Sequence, residues 1–184
     1  MLGALVSDVA TLSASLATGT IYTMEMLFTV TTLQAYTMRI ISATTGTGNG
    51  LQVTGGGLVA YLAGGTTVTS TSGGPDHTTI HGVAVVNGSA LTIYFNGKQE
   101  ATGTNGASMT VDALMNRTTG GRGAVGCLHA ARIWNRALSG SEVRTLANTP
   151  YCMFQQPRRQ RRIASGFFPP NSLSNIRPNN LGGY

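Results

Sequence analysis

An antiparallel, all-β two-sheet sandwich with one short helix and an extended C-terminal arm is the fold this sequence predicts, on three observations. Across 184 residues, 26 Thr and 25 Gly accompany 41% apolar and only 10% charged residues; Thr suits half-exposed pleated strands and Gly suits their turns. Short segments alternate apolar and polar side chains, with turn residues about every 8 to 12 positions. Two Asn-Gly pairs, Asn87-Gly88 and Asn96-Gly97, close such segments. Each accommodates two consecutive positive φ angles, so each predicts a two-residue type I′ hairpin turn.

Residues 1–19 form the first segment, in which Leu2, Leu5, Val9, Leu12 and Leu16 recur at helical spacing. A short amphipathic helix fits that spacing, and a first strand or docked arm fits it equally. The segment has no basic start and Asp8 interrupts it, so no secretory signal is expected. No stretch reaches the ~20 apolar residues of a membrane span. Thr20 to Val30 then alternates, with Tyr22, Met24, Met26, Phe28 and Val30 on one face and Thr23, Glu25 and Thr29 on the other, as in a half-buried strand. Ala35 to Ser42 repeats the pattern through Tyr36, Met38 and Ile40.

Gly46 to Gly50 is glycine-rich, but no helix pattern follows it, so it reads as a hairpin loop rather than a phosphate cradle. Leu51 to Val53 and Leu58 to Leu62 are short strands around the Gly55-Gly56-Gly57 turn, and Thr66 to Thr71 is a polar edge strand. Further strands are expected at Thr78 to Val86, Ala90 to Phe95, Lys98 to Thr102, Ser108 to Ala113 and Gly126 to Trp134. In the last, strict alternation places Cys127, His129, Ala131 and Ile133 on one face and Leu128, Ala130, Arg132 and Trp134 on the other, with Trp134 in the core. Ser139 and Glu142 form a capping-box pattern that opens a helix reaching Ala147, with Leu138, Val143 and Leu146 on its apolar face.

The run GGRGAVGCLHAARIWNRALSGSEVRTL, from Gly120 to Leu146, resembles the end of the laminin-G-like jelly roll, the concanavalin A-like lectin/glucanase sandwich. His81-Gly82-Val83-Ala84-Val85-Val86 followed by Leu91-Thr92-Ile93-Tyr94-Phe95-Asn96-Gly97 is similar to that family's central hairpins. The resemblance covers roughly Thr20 to Ala147 and implies a jelly-roll domain over residues 20–150, flanked by the arm 151–184. Asn148-Thr149-Pro150-Tyr151, with the Pro/Arg-containing stretch after it, resembles the ending of such domains in proteins of tailed bacteriophages. That likeness implies a virion structural protein, made in the host cytoplasm and carried on the particle as a decoration, cement or accessory protein. Its partners would be other capsid or tail proteins, in a homo-oligomer or symmetric array. A receptor-binding module for host surface glycans is the alternative reading.

The net charge of +6 is uneven. Through Pro150, seven basic residues face all six acids; beyond it come Arg158, Arg159, Arg161, Arg162 and Arg177 with no acid. This tail also holds four prolines and the pair Phe167-Phe168, and lacks the apolar density to fold alone. It reads as a strap on which Arg158, Arg159, Arg161 and Arg162 meet an acidic protein surface while Phe167 and Phe168 fill an apolar pocket. Nucleic acid is not the expected partner, since no aromatics interleave with the arginines.

Chemistry is sparse elsewhere. Asp8, Glu25, Asp76, Glu100, Asp112 and Glu142 stand isolated, without the paired-carboxylate strand motif that glycoside cleavage needs; no catalytic residue and no enzyme activity are expected. Laminin-G and legume-lectin relatives often hold calcium, yet Asp76 has no acidic neighbours and reads as a turn residue. His77 and His81 would lie about 13 Å apart along a strand, too far to share a metal ion. No metal and no cofactor are expected. Cys127 and Cys152 match no metal or redox spacing and read as buried free thiols, with a disulfide between them as the alternative. Sugar-stacking candidates are Tyr36, Tyr61 and Tyr94, which show no clustering.

Overall fold

A computed structural model of the protein describes residues 2–4, 10–43, 49–63, 66–104, 108–115 and 123–151, all within the first of the chain's two units, Met1–Met153. In chain order they form β1 (Leu2–Ala4), β2 (Ala10–Ala17), β3 (Ile21–Val30), β4 (Met38–Ser42), β5 (Gly50–Val53), β6 (Leu58–Ala63) and β7 (Thr66–Gly73). Next come β8 (Thr79–Asn87), β9 (Ala90–Phe95), β10 (Lys98–Thr104), β11 (Thr110–Leu114), β12 (Gly126–Trp134) and α1 (Gly140–Asn148). Two antiparallel sheets result, ordered β1-β12-β3-β8-β9-β10 and β2-β11-β4-β5-β6-β7. The chain changes sheets after β1, β2, β3, β7, β10 and β11, which is a jelly roll. The described residues of the N-terminal segment are thus two strands, each closing one edge of a sheet; Leu5 and Val9 lie outside the described residues.

Alternation builds the core. Tyr22, Met24, Met26, Phe28 and Val30 point between the sheets and meet Met38, Leu51, Val53, Val59 and Tyr61 from the second sheet and Ile80, Ala84, Val86 and Ile93 from the first. Tyr22 and Tyr61 join their hydroxyls across the core, and burial pushes both phenols above their ordinary pKa.

Three local expectations are corrected. β3 is not half-buried: Thr23 and Glu25, on its other face, are as inaccessible as its core residues, because the connection Arg136 to Leu138 lies over Thr23 and Arg132, His81 and the segment at Pro150 enclose Glu25. The alternation of β12 breaks at a bulge, where the pairing with β3 shifts between Leu128 and Ala130. One extra residue there moves Ala131 and Ile133 to the core side, with Leu128, and puts Arg132 and Trp134 on the outer face. Last, the β8–β9 hairpin pairs Asn87 with Ala90, so its loop is Gly88-Ser89. Only Gly88 has positive φ, +63°, which is the type II′ pattern rather than I′. The β9–β10 turn agrees with expectation, with Asn96 at +49° and Gly97 at +80°.

The capping box is present as predicted: the Glu142 N–H donates to Ser139 Oγ at 3.3 Å, and the Ser139 N–H donates to Glu142 Oε2 at 2.8 Å. Leu138, Val143 and Leu146 bury themselves against Val83, Val85 and Tyr94 on the outer face of the first sheet. Gly97 permits this approach, for a Cβ there would stand 2.8 Å from that of Ala147.

Candidate functional site

Trp134, the single tryptophan, ends β12 on the outer face, directly opposite Thr23. It is half-buried, packed with Ala137 on the cluster beneath α1. The connection from Trp134 to the helix is held by the buried Thr23 hydroxyl, which donates to the Arg136 carbonyl at 2.9 Å and accepts from the Leu138 N–H at 3.0 Å. A loop fixed in this way presents its side chains in a defined arrangement.

Two concavities share the Trp134 side chain. The larger, about 300 Å³, is lined by Trp134, Arg136, Leu138, Ser141, Glu142, Thr145 and Leu146. The smaller, about 190 Å³, is lined by Leu16, Ala17, Thr18, Tyr22, Ile133, Trp134 and Asn135. On the helix side the rim is polar but electrically balanced. Arg136 donates to Glu142 Oε1 at 2.7 Å, while Glu142 Oε2 accepts from the Ser139 N–H and O–H, both at 2.8 Å. Arg136 and then the Ser139 bonds hold the Glu142 carboxyl down to about 2, and Glu142 in turn raises the Arg136 guanidinium. Both carboxylate oxygens are thereby occupied, so Arg136 and the hydroxyls of Ser141 and Thr145 are what a polar ligand would meet.

A second polar group lies deeper on the same outer face. Glu25 Oε1 is 2.7 Å from an Arg132 nitrogen and 2.9 Å from His81 Nε2, and Arg132 also donates to the Pro150 carbonyl. This network fastens the segment after α1 onto the sheet. Its groups are buried, and its evident work is structural.

Two further acids are also engaged, whereas Asp112 Oδ1 is buried with no hydrogen-bond partner and Asp8 lies outside the described residues. Glu100 accepts from Thr71 and Ser72 and pairs with Lys98 at 3.0 Å; Asp76 accepts from the Leu33 N–H, the turn role expected of it. Among the described residues no cluster of three His, Cys, Asp or Glu could hold a metal ion.

The tyrosine candidates do not form a sugar platform. Tyr61 is in the core, Tyr94 lies under α1, and the part-buried Tyr36 donates to the Gly123 carbonyl at 3.3 Å. Trp134, expected in the core, instead takes a half-open position because of the β12 bulge; Tyr151, just after α1, is the more exposed aromatic among the described residues. Cys127 is a half-buried free thiol. Arg158, Arg159, Arg161, Arg162, Phe167 and Phe168, like Cys152, lie outside the described residues.

Comparison with known proteins places the fold. No curated protein sequence matches the chain. Among solved structures, a heptameric SAP-like pentraxin from Limulus polyphemus superposes with TM-score 0.60 at 15% identity, over 76% of this chain and 75% of that one. Domain 4 of AbnA, an extracellular GH43 arabinanase from Geobacillus stearothermophilus solved with arabinotriose, gives 0.58 at 16% identity over 79% and 85%. A putative carbohydrate binding protein from Bacteroides ovatus gives 0.57 at 17% identity over 76% and 47%, while the chain spans only 22% of a Trypanosoma rangeli sialidase. These likenesses are of fold. The family model described as the concanavalin A-like lectin/glucanases superfamily matches residues 3–144, and with the two-sheet jelly roll this makes the chain a laminin-G-like member of that superfamily.

Proposed function

We propose that this chain is a non-enzymatic carbohydrate-recognition module, with the cleft beside Trp134 as its sugar site. The observation that carries the reading is the half-buried, loop-anchored indole bordering two concavities, with the Arg136 guanidinium and the Ser141 and Thr145 hydroxyl oxygens at the rim. An indole face offers a flat apolar surface to the C–H side of a pyranose or furanose ring, while polar groups at its edge pair with the hydroxyls. The solved relatives that carry sugar, or are described as carbohydrate binding, lend support from the same fold. A glycan microarray with the full chain tests it: binding to a defined set of glycans that Trp134→Ala abolishes is expected, and wild-type binding that survives in Trp134→Ala would refute the site.

The arm favours a second, compatible reading, that the module is a bacteriophage virion structural protein of the decoration or cement kind, made in the host cytoplasm. Five arginines and no acid come after Pro150, which suits attachment to an acidic patch on neighbouring capsid or tail proteins. A symmetric array of copies agrees with the heptameric state of the Limulus pentraxin. In this reading the sandwich is displayed and the arm holds it. Immunogold labelling of purified particles tests it, and label absent from particles would overturn it.

A further inference from the structure

The two concavities at Trp134 are small and have a wall in common. General ligand pockets start at roughly 300 Å³; the helix-side cleft, about 300 Å³, is at that lower bound, and the one beside β2, about 190 Å³, is below it. Neither has room for an oligosaccharide. Both are lined by the same indole, and both run along the connection Ile133 to Arg136, which contributes Ile133 and Asn135 to the smaller and Arg136 to the larger.

Given sugar binding at Trp134, on which this step rests, we infer that the two clefts are adjoining subsites for consecutive residues of a linear, uncharged polysaccharide. The protein then recognises an internal stretch of chain rather than a terminal sugar. The absence of charge preference comes from the rim: the Arg136–Glu142 pair, 2.7 Å apart, is the charge present in either lining, and it cancels. Chain recognition comes from openness at both ends. Ala17 in one lining and Ser141 and Thr145 in the other are exposed small residues past which a chain can continue, and Leu16 is the bulky exposed residue of the β2-side lining. Sharing one aromatic wall couples the subsites. A ring stacked in one cleft positions its neighbour for the other, and the second contact is then formed without a second loss of translational freedom.

Isothermal titration of the full chain with gluco-, xylo-, arabino- and chito-oligosaccharides of one to six residues tests this. At least one series should gain about tenfold or more in affinity from one residue to two, then change little beyond three. Ala17→Phe, which fills the β2-side cleft, and Thr145→Phe, which narrows the helix-side cleft, should each return the disaccharide to the affinity of the monosaccharide, with melting temperatures near that of the wild type. Single sugars binding as tightly as longer chains would overturn the two-subsite arrangement while leaving the sugar site standing. Disaccharide affinity unchanged from wild type in both Phe variants would do the same. No binding in any series would contradict the sugar site itself, and the subsites with it.

Discussion

Glu25 and Arg132 face each other across the β3–β12 ladder and are ion-paired at 2.7 Å, with the Glu25 side chain wholly removed from solvent. Through Arg132 and the Pro150 carbonyl, the pair reaches from the middle of the first sheet to the segment just after α1. It thus helps to set where α1 sits, and with it the walls of the Trp134 cleft.

Breaking that pair from one side strands a buried cation. Glu25→Gln should cost roughly 3–5 kcal/mol in urea unfolding, whereas Glu25→Gln with Arg132→Met should cost clearly less than the sum of the single changes, since no charge is then left unpaired. Additive costs would mean that the two side chains act independently.

Trp134→Ala should be milder than truncation of a core aromatic. A fully buried Trp loses about 3–5 kcal/mol on such a change, and with one side open the loss here should be roughly half that, while sugar binding disappears. Chemical denaturation measures the first, and a cost at the full buried value would place the indole in the packed core instead.

Two carboxylates predict how acid acts. Glu142 is held at about 2 chiefly by Arg136, and Glu100 at about 2 chiefly by Thr71 and then Lys98, below the ordinary 4.5 of an unfolded chain. A depressed folded pKa contributes stability that is full above the unfolded value and is lost as pH falls through the folded one. Melting temperature should therefore decline between about pH 5 and pH 2, and Glu100→Gln and Glu142→Gln should each flatten that decline. A slope unchanged in both variants would show that other groups control acid stability.

Attachment is expected to reside in the arm. A chain ending at Gln156 should keep the β-rich circular dichroism and cooperative melting of the sandwich yet fail to join particles. Phe167→Ala with Phe168→Ala should reproduce that failure more fully than neutralising Arg158, Arg159, Arg161 and Arg162. Normal incorporation of the truncated chain would shift attachment to the surface of the sandwich.

Much of the fold was legible because it is written in local rules. The facing of Tyr22 to Val30, the Asn96-Gly97 turn and the Ser139–Glu142 box each need only a few neighbouring residues and each forms as read, whereas the burial of the other β3 face at Thr23 and Glu25 does not follow from local alternation. The site was not legible in that way. Trp134 faces outward because of one extra residue near His129, and a bulge has no marker in the sequence comparable to Asn-Gly. Glu25, His81 and Arg132 stand far apart along the chain, 56 and 107 positions from Glu25, so only strand pairing brings them together. The N-terminal leucine spacing fitted helix and strand equally; for Leu2, Leu12 and Leu16, pairing with β12 and β11 decided for strands.

Because the chain has one tryptophan, its fluorescence reports on the proposed site directly. Titrating the full chain with an oligosaccharide that the glycan array identifies should change the emission intensity or wavelength of Trp134 and saturate at the affinity found by calorimetry. Calorimetric binding with no change in Trp134 emission would place the sugar elsewhere on the jelly roll and contradict recognition at the indole.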